Sequence, residues 1–346
     1  MTSRSWTEDA LRDHLQKAVY LELWTIPIYL AAAYSLQVPG TSASNPPKLT
    51  PVRSAKNPNR SREQLAFNNI YSVVVQEMLH LEIAANLYNA LFAGKGYAPK
   101  LTGPWAPRYD RGFPPWIGGK VPVQLGPVND AQLLLMATIE TPEPKSDGPA
   151  NGPQEVYDSI GQFYKAIDQG VDQLWGSLYD PNADHRQKSE FSDPQYPGDD
   201  YTGFSATIGG DSQTARAQAD KAIKAIVDQG EGCVGPFIEP DLRPEDSTDI
   251  QDRFSHFGRF RMVQVMLKLG GAFKTYPTSG SDGLAAAQKA LNETYTALLY
   301  SLEKGFAGDA DLDLGPMWDL PGKIVAVWAA GGVPAFQSLD SSDAAR

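Results

Sequence analysis

Cysteine is almost missing from this sequence: only one of its 346 residues, Cys233, carries a thiol. A single cysteine excludes an intramolecular disulfide framework and is typical of a reducing compartment. The first 13 residues are polar and charged, without a signal-peptide pattern. We therefore expect a cytoplasmic protein.

Positive charge is also scarce. Lysine and arginine together number 30 against 41 aspartates and glutamates, which gives a formal net charge of −11. The basic residues are scattered, and their one modest cluster consists of Arg53, Lys56, Arg60 and Arg62. Because no basic stripe could neutralise phosphates, we exclude nucleic acid and anionic membrane surfaces as partners.

One apolar run raises the question of a membrane span. Residues 18–36 hold a single charge, Glu22, and are about long enough to cross a bilayer. The run follows a polar stretch, contains Pro27 and has no basic flank on its far side. Several comparably apolar helical segments occur along the chain, so we expect a buried helix of a bundle instead.

Alternating strand patterns are limited to residues 120–125, whereas helical patterns fill most of the chain. The predicted helices cover residues 7–36 with a kink near Pro27, 62–92, 129–140, 155–175, 213–229, 247–269, 284–304 and 317–330. We predict an all-α fold, with a bundle in residues 1–275 and a C-terminal helical extension, 276–346, packed on the same domain. Residues 97–128 are dense in Gly, Pro and aromatics, and either cover a site or form a structured crossover.

The four histidines differ in their surroundings. His14 lies in a polar first turn and His185 in a polar loop, so both are predicted at the surface. His80 and His256 lie in apolar or aromatic helical segments. These two are the candidate ligands.

The strongest pair of candidates is Glu77 with His80. They stand at i and i+3 in a helix that is apolar on nearly every side, so both point into the core. Burying such groups costs several kcal/mol unless they are paired or ligate a metal, and a hydrogen-bonded pair without metal stays open. Glu22 is the one charge between Lys17 and Lys48, and we interpret it as a facing ligand rather than a surface residue.

Other carboxylates have weaker patterns. Glu140 closes an apolar helix and Glu231 follows another between two glycines, where the negative end of the helix dipole disfavours an acid. Each is either a ligand or a turn residue. Asp252 precedes His256 by one turn and could co-ligate a metal or orient the imidazole. Glu82 lies off the face of Glu77 and is interpreted as a surface residue or a structural partner.

A series of segments in one order resembles the ferritin-like domain of the iminophenyl-pyruvate dimer synthase family, which includes domains of violacein- and rebeccamycin-type enzymes. The segments are LELWTIPIYL at 21–30, QEMLH at 76–80, NLYNA at 86–90, IETPE at 139–143, IGQFY at 160–164, QGEG at 229–232 and SHFGRF at 255–260. The resemblance implies a ferritin-like helical bundle with a non-haem iron site and oxidative chemistry on amino-acid-derived molecules. It implies as ligands Glu22, Glu77, His80, Glu231 and His256, with Glu140 as a further candidate.

The sequence departs from the ferritin-like pattern at one ligand. A second Glu-x-x-His would place a carboxylate three residues before His256, where Arg253 stands. The site could therefore hold two ions asymmetrically or one ion. The chain also lacks the large extra regions of the bisindole-forming enzymes, so their coupling reaction is not implied.

These observations predict a non-haem iron-dependent oxidase or oxygenase in specialised metabolism, with manganese as an alternative metal. The expected partners are O2 and a small-molecule substrate entering beneath the aromatic residues 105–116, and a homo-oligomer is allowed. Arg259 either holds a substrate carboxylate or forms a surface salt bridge. The alternatives are a non-catalytic metal-binding protein and a structural protein with a degenerate site.

Overall fold

The computed structural model describes residues 5–50, 61–118, 123–141, 152–191, 206–230 and 255–339. Within these ranges the chain forms eight α-helices, two short 3-10 turns and no strand beyond isolated bridges. The helices are α1 Glu8–Tyr34, α2 Arg62–Phe92, α3 Asp130–Ile139, α4 Ile160–Leu178, α5 Ser212–Gly230, α6 His256–Gly270, α7 Leu284–Phe306 and α8 Gly315–Ala329. The all-α prediction is confirmed.

The core is a bundle of α1, α2, α3 and α6. The long helices α1 and α2 pack along each other, α3 packs on α6, and α6 packs on α2. Both long helices begin at side-chain caps, with Thr7 accepting from Ala10 N and Ser61 from Gln64 N. From there they are buried on almost every side, because α4 and α5 cover the remaining faces.

The membrane question has a direct answer for the helices that the structure describes. None of them is long and apolar enough to cross a bilayer. The apolar run 18–36 instead forms most of α1, with Pro27 inside the helix.

Two helix starts differ from the sequence prediction. Helix α4 begins at Ile160 because the Ser159 side chain caps it by accepting from Gln162 N, five residues later than expected. Helix α6 begins at His256 with Ser255 as its cap, whereas the pattern predicted a start at residue 247. Asp252 and Arg253 precede this start and lie outside the described residues, so a role for Asp252 stays a prediction.

The C-terminal helices pack on the bundle itself. Helix α8 contacts α1, where Trp328 Nε1 donates to the Ala31 carbonyl at 3.0 Å. Helix α7 meets α2, where Asn89 Nδ2 donates to the Phe306 carbonyl at 2.8 Å. The division of the chain at residue 275 remains a prediction.

Glu303 on α7 forms hydrogen bonds to the segment that follows α2. Its ionisation contributes to the free energy of unfolding in a way that depends on pH. Its carboxylate accepts from Leu101 N, Thr102 N and Thr102 Oγ1 and pairs with Lys100. Burial opposes ionisation, but these donors outweigh it and lower the pKa of Glu303 below its ordinary value. The carboxylate thus stabilises the fold above the unfolded-state pKa, and this contribution is lost as the pH falls through the folded-state pKa.

Glu303→Gln is accordingly expected to cost about 1 kcal/mol at neutral pH, a modest value because solvent screens this half-buried group. The difference from wild type should shrink as the pH falls below about 4.5. Urea denaturation of both proteins at several pH values measures it. A difference that does not change with pH would contradict the assignment.

Candidate metal centre

Five ionisable side chains from four helical elements meet in the middle of the bundle. Glu22 comes from α1, Glu77 and His80 from α2, Glu140 directly follows α3, and His256 opens α6. All five are at most 5% exposed. The structure thus brings together every predicted ligand that it describes, whereas Glu231 lies outside the described residues.

Glu77 lies at the centre of the group. Its Oε1 is 2.7 Å from His256 Nδ1 and 4.0 Å from His80 Nδ1. Glu22 Oε2 is 3.6 Å from His80 Nδ1, and Glu140 Oε2 is 3.5 Å from His256 Nδ1. Two atoms that each bind one ion at about 2.1 Å lie no more than about 4.2 Å apart. These donor separations are therefore compatible with shared coordination.

Each histidine is held by a glutamine. His80 Nε2 lies 2.7 Å from Gln229 Oε1, and His256 Nε2 lies 3.1 Å from Gln76 Oε1. An amide oxygen only accepts, so each Nε2 carries the proton and each Nδ1 presents a lone pair to the cluster. Hydrogen bonds of this kind orient histidine ligands in metal sites.

The outer oxygens of the carboxylates are also fixed. Thr25 Oγ1 donates to Glu77 Oε2 at 2.7 Å. The hydroxyls of Tyr29 and Tyr164 donate short hydrogen bonds to Glu140 Oε1 and Glu22 Oε1. Burial raises the pKa of both tyrosines well above the ordinary value, so both remain donors at neutral pH. The oxygen of each carboxylate that faces the histidines stays available.

Electrostatics favour a cation here. Burial, with Glu140 and Glu22 close by, raises the pKa of Glu77 well above the ordinary carboxyl value. His256 Nδ1 is buried and makes no hydrogen bond, although Glu77 Oε1 is 2.7 Å away. The raised pKa means that Glu77 tends to hold a proton in the metal-free protein, and a bound cation would replace that proton between Glu77 Oε1 and His256 Nδ1. Glu77, His80 and His256 have donor atoms within 4.8 Å of one another.

The donor set itself suits a first-row metal. Carboxylates and neutral imidazoles bind iron, manganese or zinc, whereas a site built only from oxygens would suit calcium or magnesium. The residues present here therefore fit a bound metal ion.

A small cavity of about 20 Å³ adjoins the cluster. It is lined by the cluster residues Glu22, Glu77, His80 and Glu140. The rest of its lining includes apolar side chains from the end of α3, the start of α4 and the end of α5, namely Ile139, Ile160, Ile226 and Val227. Gly161 and Gly230 line it too, and a Cβ at Gly230 would lie 3.2 Å from Glu140 Oε2. This volume holds about one water-sized molecule.

The aromatic segment covers another side of α1. Tyr109 donates to the Trp24 carbonyl, and Phe113 packs on the Trp24 ring. Trp116 packs on Tyr20, which lies on the same face of α1 as Trp24. Glu22, two residues after Tyr20, points about 160° away from it around the helix, so the aromatic segment packs on another face of α1 than the one that carries Glu22. Substrate entry beneath residues 105–116 stays a prediction.

The prediction that His14 and His185 lie at the surface is wrong. His14 is 5% exposed and packs on Trp6 and Tyr157, because α4 and the residues preceding it cover the first turns of α1. His185 is half-buried and stacks on Tyr179 with ring centroids 4.8 Å apart. Neither belongs to the cluster.

Two other charged residues are buried away from the cluster. Glu82 is fully buried and accepts from Glu190 N, which agrees with the structural-partner interpretation and not with a surface residue. Arg259 is 4% exposed and its Nη1 donates to Ser72 Oγ at 2.9 Å. Its interpretation as a residue of a surface salt bridge is therefore wrong. A substrate-binding role for Arg259 stays a prediction.

Sequence reasoning missed the supporting residues. These are Thr25, Tyr29, Gln76, Tyr164 and Gln229. A signal existed for two of them, because Tyr29 lies two helical turns after Glu22 and Gln76 directly precedes Glu77. Tyr164 and Gln229 lie far along the chain from their partners, and no local spacing connects them.

Comparison with known proteins agrees with this geometry. The ferritin-like family profile matches residues 15–264. The chain is similar to the crystal structure of a ferritin-like protein from Caulobacter vibrioides, with 27% sequence identity and a TM-score of 0.69. That alignment covers 96% of this chain and 99% of the Caulobacter chain. None of the curated proteins compared with the chain matches it. Because the family profile spans more than half of its residues, the chain belongs to the ferritin-like family.

Proposed function

We propose that this chain is a non-haem iron-dependent oxidase or oxygenase that acts on a small, amino-acid-derived molecule in specialised metabolism. The observation that carries the proposal is the buried cluster of three carboxylates and two imidazoles, with both Nδ1 atoms directed inward. The resemblance to the iminophenyl-pyruvate dimer synthase family supports the reaction class.

The proposed ligands are Glu22, Glu77, His80, Glu140 and His256. Glu77 is shared between two groups, with Glu22 and His80 on one side and Glu140 and His256 on the other. These residues would hold one ion or two. Glu140 supplies the carboxylate that the missing second Glu-x-x-His would have supplied.

Bound iron would supply the redox chemistry of O2 activation, and the protein supplies positioning and exclusion of water. Gln76 and Gln229 keep each imidazole in the tautomer whose Nδ1 faces the cluster. Tyr29 and Tyr164 hold one oxygen of their carboxylates, so the other is directed without rearrangement. Such preorganisation removes the need for reorientation during the reaction.

The adjoining cavity limits what reaches the cluster through the described part of the chain. A volume of about 20 Å³ admits water or a diatomic gas and is too small for an amino-acid-derived molecule. We propose that O2 approaches the cluster from the side formed by the ends of α3 and α5 and the start of α4.

Oxygen consumption tests the proposal. Protein loaded anaerobically with Fe(II) is mixed with O2 and a panel of aromatic amino acids, 2-oxo acids and imines formed from them. We expect O2 uptake above the substrate-free rate for at least one compound class, and none with Glu77→Gln. Iron that binds and is oxidised without any substrate-dependent uptake would favour the non-catalytic metal-binding alternative.

A further inference from the structure

A continuous line of aromatic rings leads away from the metal centre. The Tyr164 hydroxyl donates to Glu22, and the Tyr164 and Phe163 ring centroids are 5.6 Å apart. Phe163 in turn contacts Tyr157, with ring centroids 5.3 Å apart. All three rings are at most 1% exposed. Only Tyr164 contacts the proposed ligand Glu22, so the contacts of Phe163 and Tyr157 are not needed to position that ligand.

The line ends in a phenol–imidazole pair whose proton has a defined place. His14 Nδ1 lies 2.7 Å from the Ala10 carbonyl oxygen, which only accepts, so Nδ1 carries the imidazole proton. His14 Nε2 therefore carries a lone pair and can accept a hydrogen bond. It lies 2.9 Å from the Tyr157 hydroxyl oxygen. Gln154 N donates to the same hydroxyl oxygen at 2.9 Å. The Tyr157 O–H thus donates to His14 Nε2.

The surroundings keep both partners neutral. Burial is the main cause that lowers the pKa of His14 and raises the pKa of Tyr157. Asp13 and Lys17 flank His14 on α1 and form an ion pair with each other at 2.7 Å. A neutral imidazole next to a phenol can accept the phenolic proton when the ring loses an electron.

The pair lies near the surface at a distance from the cluster. His14 precedes Glu22 by eight residues on α1, which corresponds to a rise of about 12 Å. His14 also lines a cavity of about 580 Å³ together with Asp13, Lys17 and Gln154. A small molecule in that cavity would approach the imidazole edge without reaching the metal centre.

We propose that Tyr164, Phe163, Tyr157 and His14 form a one-electron relay between the metal centre and the His14 cavity. The proposal rests on the proposed function, because the O2 consumed there is the terminal oxidant. Tyr157 loses one electron, which passes through the Phe163 and Tyr164 rings to the metal centre. Its O–H bond breaks and an N–H bond forms at His14 Nε2, which leaves a neutral tyrosyl radical and an imidazolium. A one-electron donor in the cavity, such as an ascorbate-like enediol, then returns an electron, and the proton moves back to Tyr157.

Such a relay gives the centre two capabilities. It delivers single electrons when the reduction of O2 needs more electrons than the substrate supplies. It also removes an oxidising equivalent when no substrate is present, and thus protects the ligands. Tyr34 provides the contrast, because it is equally buried and packs on Tyr71 with ring centroids 5.7 Å apart, but it contacts none of the four relay residues.

The experiment uses the full chain loaded with Fe(II), mixed with O2 without substrate and freeze-quenched for electron paramagnetic resonance. We expect a tyrosyl radical that narrows when the protein is made with ring-deuterated tyrosine. Tyr157→Phe removes only the hydroxyl and should abolish the signal, while Tyr34→Phe should retain it. His14→Gln keeps the phenol but removes the imidazole acceptor, and should lower the radical yield. Ascorbate should quench the wild-type radical.

A second readout requires no metal. Nitrogen-15 NMR of the metal-free protein should show His14 as the Nδ1–H tautomer, with an Nε2 resonance that shifts in Tyr157→Phe and not in Tyr34→Phe. Substrate-dependent O2 uptake without any Tyr157-dependent radical would overturn the relay and leave the proposed function intact. A radical that survives Tyr157→Phe would overturn it as well. Loss of iron binding or of all O2 uptake would overturn both proposals.

Discussion

Glu77→Gln is expected to lower the iron retained by the purified protein by about tenfold or more. Among the described residues, Glu77 is the one carboxylate close to both histidines, with Oε1 2.7 Å from His256 Nδ1 and 4.0 Å from His80 Nδ1. Glutamine keeps the volume and can still accept the hydrogen bond from Thr25, but it removes the charge that binds the cation. The measurement is iron content after anaerobic loading and desalting.

Glu82→Gln is the matched control, because Glu82 is also buried on α2 and accepts backbone hydrogen bonds from Glu190 and Phe191. This variant should retain iron like the wild type. Equal iron content in Glu77→Gln and wild type would remove Glu77 from the ligand set. Equal loss in both variants would mean that any buried charge change on α2 disturbs the site indirectly.

The same substitution is expected to stabilise the metal-free protein by about 1–3 kcal/mol near neutral pH. Burial and the neighbouring Glu140 and Glu22 raise the pKa of Glu77 well above its ordinary value. A carboxyl group with a raised pKa in the folded state costs stability increasingly as the pH rises above its unfolded-state pKa. Glutamine does not titrate, so the variant avoids this cost.

Metal loading should reverse the order of stability. An ion that binds only the folded state adds about 4 kcal/mol at a free concentration of 1,000 Kd, and the variant would gain much less. Chemical denaturation of both proteins, with chelator and with Fe(II), measures the reversal. A metal-free Glu77→Gln protein that is less stable than wild type between pH 6 and 8 would contradict the electrostatic account of the cluster.

The sequence predicts the long helices well because each has an unambiguous start signal. Thr7 and Ser61 cap α1 and α2, and both helices begin where the pattern places them. Helix α6 was misplaced because several serine and threonine residues precede His256, and local pattern alone does not distinguish the true cap, Ser255, from an earlier candidate.

Predictions about individual side chains succeeded where burial follows from the helix itself. Glu77 and His80 stand on a helix that is apolar on nearly all sides, so their burial was evident from the sequence. His14 was mispredicted because its burial depends on Tyr157 and Phe163, which reach it from about 150 residues along the chain. The face of α1 that the aromatic segment covers was left open for a similar reason, since it depends on contacts with Tyr20 and Trp24 from far along the chain.

Anomalous diffraction from crystals loaded with Fe(II) tests the central claim most directly. The account predicts at least one iron peak within bonding distance of Glu77 Oε1 and of the Nδ1 atom of His80 or His256. A second peak, if present, should also contact Glu77. Loaded crystals with no iron among these side chains, or with iron bound only at surface carboxylates, would contradict the account.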